Sequence, residues 1–164
     1  MVKTASDHGY PMRLLQAVEA VNESQKSILF RKLEHYFQGD LKGKRIAVWG
    51  LAFKPETDDM REAPSLVVIQ KLIESGCQVT AYDPIAIPES RRRIGDAVRY
   101  AKDIYDAVVD ADALLLVTEW KEFRMPSWAA IKKLMANPLV VDGRNIYDPK
   151  EMEEYGFEYH CIGR

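Results

Sequence analysis

Three cations and two aromatic rings in this sequence fall where side chains of their type do chemistry: Lys54, Arg61 and Arg144, with Phe53 and Trp120. Cations suit phosphate and similar anions, and an arginine can grip such a group through two parallel hydrogen bonds. Flat rings suit the face of a base or a sugar. Taken singly, each residue has a plainer reading. A loop Lys or Arg is usually just solvated, and Trp120 and Phe123 could roof the core. Asp58 and Asp59 make Asx turns more often than they bind metal, and Gly143 could serve a positive φ. His8, His35 and His160 are scattered and compose no triad. Cys77 and Cys161 fall in different strands and read as small buried residues, not a disulfide. What favours the chemical reading is where the surrounding elements put these residues.

From Lys44 onward, strands and helices alternate. Arg45–Gly50 reads as the first strand, Cys77–Tyr82 as the second, and Val98–Tyr100 as a weak third. Ala113–Val117, unbroken in its apolarity, reads as a central fourth, followed by Leu139–Val141 and Phe157–Ile162. Between them lie helical patterns opened by Pro64, by Asp103 as a cap, by Ser127 as a cap and by Pro149. A short helix is expected over Pro88–Gly95. This pattern predicts an α/β fold: a doubly wound, Rossmann-like parallel sheet of about six strands in the order 3-2-1-4-5-6, preceded by a long helix. Such sheets bind ligands beyond the carboxyl ends of the strands, where the order reverses, here between strands 1 and 4. Gly50–Pro64, Thr118–Phe123 and Asp142–Asn145 all open there. They bring Phe53, Lys54, Arg61, Trp120 and Arg144 to one crevice, which reads as a nucleotide or nucleotide-sugar site.

A dinucleotide site is the rival. Its fingerprint needs three glycines after strand 1 so that the backbone can approach a pyrophosphate. Only Gly50 is present, and Phe53 and Lys54 would crowd the phosphates. Asp83 stands where a ribose-binding acid would, but without the glycines it reads as a turn residue before Pro84. Conventional NAD binding by this sheet alone is therefore not expected.

The front of the chain differs in character. Met1–Gly9 reads like the tail of a helix ended by Gly9, with nothing supplying its start, so the chain reads either as part of something longer or as having a frayed terminus. From Pro11 to Gln38 apolar residues recur at helical spacing with no Gly or Pro between. That is ~28 residues, roughly 40 Å of helix, a length that joins two domains or packs on a second chain; the alternative is two shorter helices broken near Asn22-Glu23-Ser24. The organisation expected is a helical linker and dimerisation segment over 1–40 and a binding domain over 41–164.

Composition removes several classes. Within 164 residues, 23 basic and 25 acidic side chains give a net charge of −2, unlike a general nucleic-acid binder. No apolar run approaches the ~18 residues of a membrane span, and no signal peptide opens the chain. A cytoplasmic protein is expected.

The run Gly50-Leu51-Ala52-Phe53-Lys54-Pro55-Glu56-Thr57-Asp58-Asp59-Met60-Arg61-Glu62-Ala63-Pro64-Ser65 closely resembles the C-terminal domain of bacterial UDP-glucose 6-dehydrogenases. Thr118-Glu119-Trp120-Lys121-Glu122-Phe123 and Asp142-Gly143-Arg144-Asn145-Ile146-Tyr147-Asp148-Pro149 match that family too, in order and spacing. The resemblance implies a substrate-binding portion in which Phe53, Lys54 and Arg144 contact the UDP-sugar and Arg61 reaches NAD. The NAD would be held mainly by another domain. It implies a homodimer through the helix at 11–38, with UDP-glucose as substrate and UDP-glucuronate as product. No catalytic residue is assigned, because the family's nucleophilic cysteine belongs to a Cys-x-x-Lys-Asp segment that this sequence lacks. A fragment of this kind would be inactive alone. Sister enzymes acting on UDP-N-acetylmannosamine or GDP-mannose, and a free-standing nucleotide-binding or dimerisation module, are the alternatives.

Overall fold

A computed structural model of the chain describes residues 12–163. The helix tail ending at Gly9, and Pro11 as a helix opener, lie outside them. Six strands form one all-parallel sheet: β1 (Arg45–Trp49), β2 (Gln78–Tyr82), β3 (Arg99–Tyr100), β4 (Ala113–Leu116), β5 (Leu139–Asp142) and β6 (Glu158–Cys161). Their order is β3-β2-β1-β4-β5-β6, the doubly wound order that the sequence predicts. β4 is buried along its whole length, as its unbroken apolarity requires of a central parallel strand.

Strand alternation divides the core into two layers. Ile46, Val48, Ala113, Leu115 and Val141 face α2 (Ile28–Tyr36) and α3 (Pro64–Glu74), against Leu29, Leu33, Val68, Ile69 and Leu72. Ala47, Trp49, Leu114, Leu116 and Val140 face the other way. They meet α5 (Ile104–Val108), α6 (Trp128–Leu134) and α7 (Pro149–Glu154) through Ala107, Val108, Trp128, Ile131 and Met152. Each fully buried Leu or Ile stabilises such a core by about 1.5–3 kcal/mol. The short α4 (Ile87–Ile94) follows β2.

Capping follows the sequence in part. Pro64 stands at the start of α3. Asp103 caps α5 by accepting from the Asp106 amide at 2.7 Å. Asp148 caps α7 by accepting from the Lys150 and Glu151 amides. Ser127 stands at the start of α6, but its hydroxyl makes no capping bond there.

The stretch expected as one long helix is two. α1 (Arg13–Lys26) ends at Ser27, whose backbone (φ −98°, ψ 2°) separates it from α2. The Ser27 hydroxyl donates to the Ser24 carbonyl at 3.1 Å, and Arg31 Nη2 donates to the same oxygen at 3.2 Å. Side-chain donors thus take the acceptor that an i+4 amide would hold, the way serine competes with a helix ladder. The two halves also differ in surroundings. α1 buries no residue, whereas α2 buries Leu29, Phe30 and Leu33 against the sheet.

Candidate functional site

At the carboxyl ends of β1, β4 and β5 lies a cleft of about 790 Å³, lined by Phe53, Val117, Gly143, Arg144 and, from the helical side, Lys26 and Leu29. Its position is the switch point of the sheet, and its size is that of a small-ligand site. Two glycines make it possible. Gly50 has φ +88°, and a β-carbon there would lie 2.5 Å from the Thr118 amide nitrogen, so only glycine lets the loops after β1 and β4 approach this closely. Gly143 does not have a positive φ, which the plainer reading of it would require. It is needed because a β-carbon would lie 2.8 Å from both the Leu116 carbonyl and a Leu29 methyl.

The loop after β1 is pinned from several sides. Asp83, buried at 1 % exposure, accepts through Oδ2 from the Leu51 amide (2.7 Å), the Ala52 amide (3.2 Å) and the Trp120 indole (3.0 Å). Its Oδ1 accepts from the Ile85 and Ala86 amides. Ser65 and Thr118 hydroxyls donate to the Leu51 and Ala52 carbonyls. The Phe53 amide donates to the Asp59 carbonyl at 2.8 Å. This leaves Phe53 half-exposed, with 55 % of its surface open.

A second buried carboxylate builds the loop after β5. Asp142 accepts from the amides of Arg144, Asn145, Ile146 and Tyr147 and from the Tyr159 hydroxyl. Asn145, with φ 56°, exchanges hydrogen bonds with the backbone of Ile162. Arg144 is thereby projected with its main chain fixed. Its guanidinium forks onto Glu119, Nη2 to Oε1 at 2.8 Å and Nε to Oε2. Burial pushes the Glu119 carboxyl up, but the Arg144 hydrogen bonds and charge outweigh this, and it ends below the usual carboxylate range.

The structure therefore brings Phe53 and Arg144 together. Lys54 is exposed and is not part of the cleft lining. Arg61 lies in a separate, shallower depression of about 380 Å³ with Asp58, Glu89 and Arg93. There it donates from Nε and Nη2 to both oxygens of Asp59, and this holds the Asp59 carboxyl down to about 2. The Arg61 amide also donates to Asp59 Oδ1, the Asx turn the sequence suggests. Trp120 corrects the sequence reading. It is buried at 6 % exposure in the core layer that holds Trp49 and Phe123, with its indole N–H on Asp83, and it offers no free face to the cleft. Phe123 stacks on Trp49 at 5.1 Å.

Sequence reasoning missed Lys26, whose ammonium bridges Glu23 and Glu62 at 2.6 Å each. Glu23 foremost, then Glu62, hold it above its ordinary pKa range. The Glu23–Lys26 spacing looks like an ordinary surface pair, and the contact to Glu62 is long-range, so no local signal pointed to the cleft. The fingerprint positions after β1 do not fit NAD. Ala52, fully buried, and Pro55 stand where the second and third glycines would be needed, and Asp83 accepts from backbone amides and the Trp120 indole. Among the described residues no group of three His, Cys, Asp or Glu side chains is placed to hold a metal. No helix among them is long and apolar enough to cross a membrane.

The sequence pattern of the UDP binding domain of the UDP-glucose/GDP-mannose dehydrogenase family matches residues 47–149. The chain belongs to this family. Across its whole length it is 48 % identical to the UDP-glucose 6-dehydrogenase of Pseudomonas aeruginosa and 45 % identical to that of Rhizobium meliloti, and it spans 37 % of the length of each. The structure of a UDP-glucose dehydrogenase from Pyrobaculum islandicum superposes with a TM-score of 0.81 at 30 % identity, covering 97 % of this chain and 34 % of that one. Within the family, the cleft at Phe53 and Arg144 lies inside the matched domain, and Lys26 lies before it.

Proposed function

We propose that the chain is the substrate-binding portion of a UDP-glucose 6-dehydrogenase, an enzyme taking UDP-glucose to UDP-glucuronate with reduction of two NAD. The observation that carries this is the switch-point cleft with one exposed ring and one preset guanidinium, in a chain that shares nearly half its residues with curated enzymes of that name. Phe53 supplies an apolar face beside the nucleotide, and Arg144 a fork for a phosphate. Lys54, exposed on the same loop as Phe53, is assigned to the UDP-sugar as a further positive charge although it does not line the cleft. Arg61, 80 % exposed at its side chain, faces the NAD that another part of the enzyme holds.

In this reading the chain anchors the substrate and performs no bond-making step. Binding energy from the UDP moiety positions the sugar at a reacting centre supplied elsewhere. The residues of this sheet do not fit NAD, so a lone chain is expected to be inactive. Segment 1–40 acts as linker and dimer contact, residues 41–164 as the UDP-sugar domain, in a cytoplasmic homodimer.

Calorimetric titration with UDP, GDP and NAD tests the reading. UDP binding that exceeds GDP and NAD supports it. A preference for GDP redirects it to a sister enzyme, and no binding of any nucleotide at millimolar ligand removes it.

A further inference from the structure

Two cations line the switch-point cleft, Arg144 and Lys26, and their counter-ions are arranged differently. Glu119 reaches Arg144 from outside the cleft lining and is largely covered, its side chain 20 % exposed. Lys26 is held inside the lining by Glu23 and Glu62, whose side chains are 64 % and 81 % exposed while its own is 15 % exposed. Glu23 belongs to the same helix as Lys26. Glu62 does not: it comes from the loop before α3, and its backbone sits at φ 57°, a conformation that side chains with a β-carbon disfavour.

One ammonium between two carboxylates carries a net negative charge. As it stands this corner repels a diphosphate. Exposed ion pairs are weak, however, and a phosphate offers more charge and more acceptor oxygens than a carboxylate. A lysine also keeps its three donors on a flexible stem, so it can exchange one partner and keep another. We propose that Lys26 is the second cation for the diphosphate in this cleft and that Glu62 is its resident counter-ion, displaced when the diphosphate enters. The proposal rests on the nucleotide-binding reading and adds to it a residue on the helical segment and an internal competitor.

The test titrates the 164-residue chain and its Lys26→Met and Glu62→Gln variants with UDP, inorganic pyrophosphate and uridine. Lys26→Met keeps the length of the stem, and Glu62 is exposed, so both variants are expected to fold. Lys26→Met should weaken UDP and pyrophosphate about tenfold or more. Glu62→Gln should strengthen both by about two- to fivefold, and this gain should vanish in the double variant. Uridine binding should not respond. A bridge that only ties α1 to the loop would give weaker or unchanged UDP binding in Glu62→Gln, and that result overturns the proposal. UDP affinity indifferent to both variants overturns it while leaving the nucleotide reading intact. Pyrophosphate binding that follows the expected pattern, with no added affinity from uridine, keeps the proposal and removes the nucleotide reading. No binding of UDP or pyrophosphate by any variant overturns both.

Discussion

Arg144 and Glu119 form a two-pronged pair across the loops after β5 and β4, with Nη2 donating to Oε1 at 2.8 Å. The pair fixes the plane of the guanidinium before any ligand arrives. Glu119 is therefore a positioning residue for Arg144, although its charge has the same sign as a phosphate.

The first prediction is that Glu119→Gln weakens UDP binding several-fold, the opposite sign to Glu62→Gln. Arg144→Ala should cost more, about 1.5–3 kcal/mol or a factor of roughly 10–150. Arg144→Lys should recover little of this, since an ammonium cannot fork. The pH dependence has a definite sign. The folded Glu119 carboxyl is depressed from its ordinary 4.5, so the pairing is fully present above that value and is lost as pH falls through the depressed one. Calorimetry of the variants, and of the unmodified chain from pH 7 down to about pH 3, where the pairing is lost, checks both parts. UDP affinity unchanged by Glu119→Gln would count against the positioning role.

A second prediction concerns Asp83. Five N–H donors converge on this one buried carboxylate, and they come from the loops after β1, β2 and β4. Asp83→Ala leaves several of them without a partner. Each stranded buried donor costs about 1–3 kcal/mol, some of it recovered by relaxation. A net loss of about 3 kcal/mol is expected, lowering Tm by about 6–12 °C. Near-ultraviolet circular dichroism should also change, because Trp120 loses its anchor. A thermal melt within a degree of the parent would refute the hub role.

How far the sequence carried the fold depends on the range of the contacts. Ala113–Val117 announces a central strand by itself, and Asp103 announces a helix start within four residues. The doubly wound order follows because handedness leaves few other ways to connect alternating elements. The break at Ser27 is different, since apolar spacing runs through it and the cause is two side chains competing for one carbonyl. The roles of Asp83 and Trp120 were hidden for a related reason. They are 37 residues apart, and only the assembled sheet turns Trp120 inward. Of the expected binding residues, Phe53 and Arg144 share the cleft, while Arg61 lies in another depression and Lys54 is outside the lining. Loop identity fixed the edge at which each would appear, but not the direction of its side chain.

Gly50 yields a third prediction. Gly50→Ala places a β-carbon against the Thr118 backbone and holds alanine at φ +88°. Both terms oppose folding, together by about 2–4 kcal/mol. The loops after β1 and β4 should also separate, so UDP binding should weaken more than stability alone explains. Urea unfolding and calorimetry measured on the same sample separate these effects. A stability within 0.5 kcal/mol of the parent would show that the close approach is not required.

The outer face of α1 carries a fourth. Leu14, Val18 and Val21 recur at helical spacing and are 79 %, 47 % and 58 % exposed. A contiguous stripe of this kind marks an association surface, and the homodimer proposed above uses it. Light scattering should give twice the chain mass, and Leu14→Glu with Val18→Glu should return the monomer. A monomer at every concentration, or a dimer indifferent to both substitutions, would place the contact elsewhere.

The last prediction is alkaline. Tyr147 donates to the Phe123 carbonyl at 2.6 Å, and Tyr159 donates to Asp142 Oδ2 at 2.8 Å. Burial above all, and then the Asp142 carboxylate, push both phenols well above their ordinary value of 10. Burial, followed by Glu122, pushes Tyr82 up to about 12. A phenol whose folded pKa is raised contributes stability that is fully present below its unfolded value. That contribution is lost as pH rises past 10, because the unfolded chain releases its proton first. The buried Tyr147 alone gives a slope of about 1.4 kcal/mol per pH unit in that window. Tm should therefore be nearly flat between pH 8 and 9.5 as far as these groups are concerned, and fall steeply from pH 10 to 11.5. Tyr147→Phe should lower stability at pH 8 by about 1 kcal/mol, since the Phe123 carbonyl loses its donor. It should also flatten the alkaline decline, so the two melting curves approach each other as pH rises. Parallel curves across the whole range would mean that Tyr147 ionises no later in the folded chain than in the unfolded one.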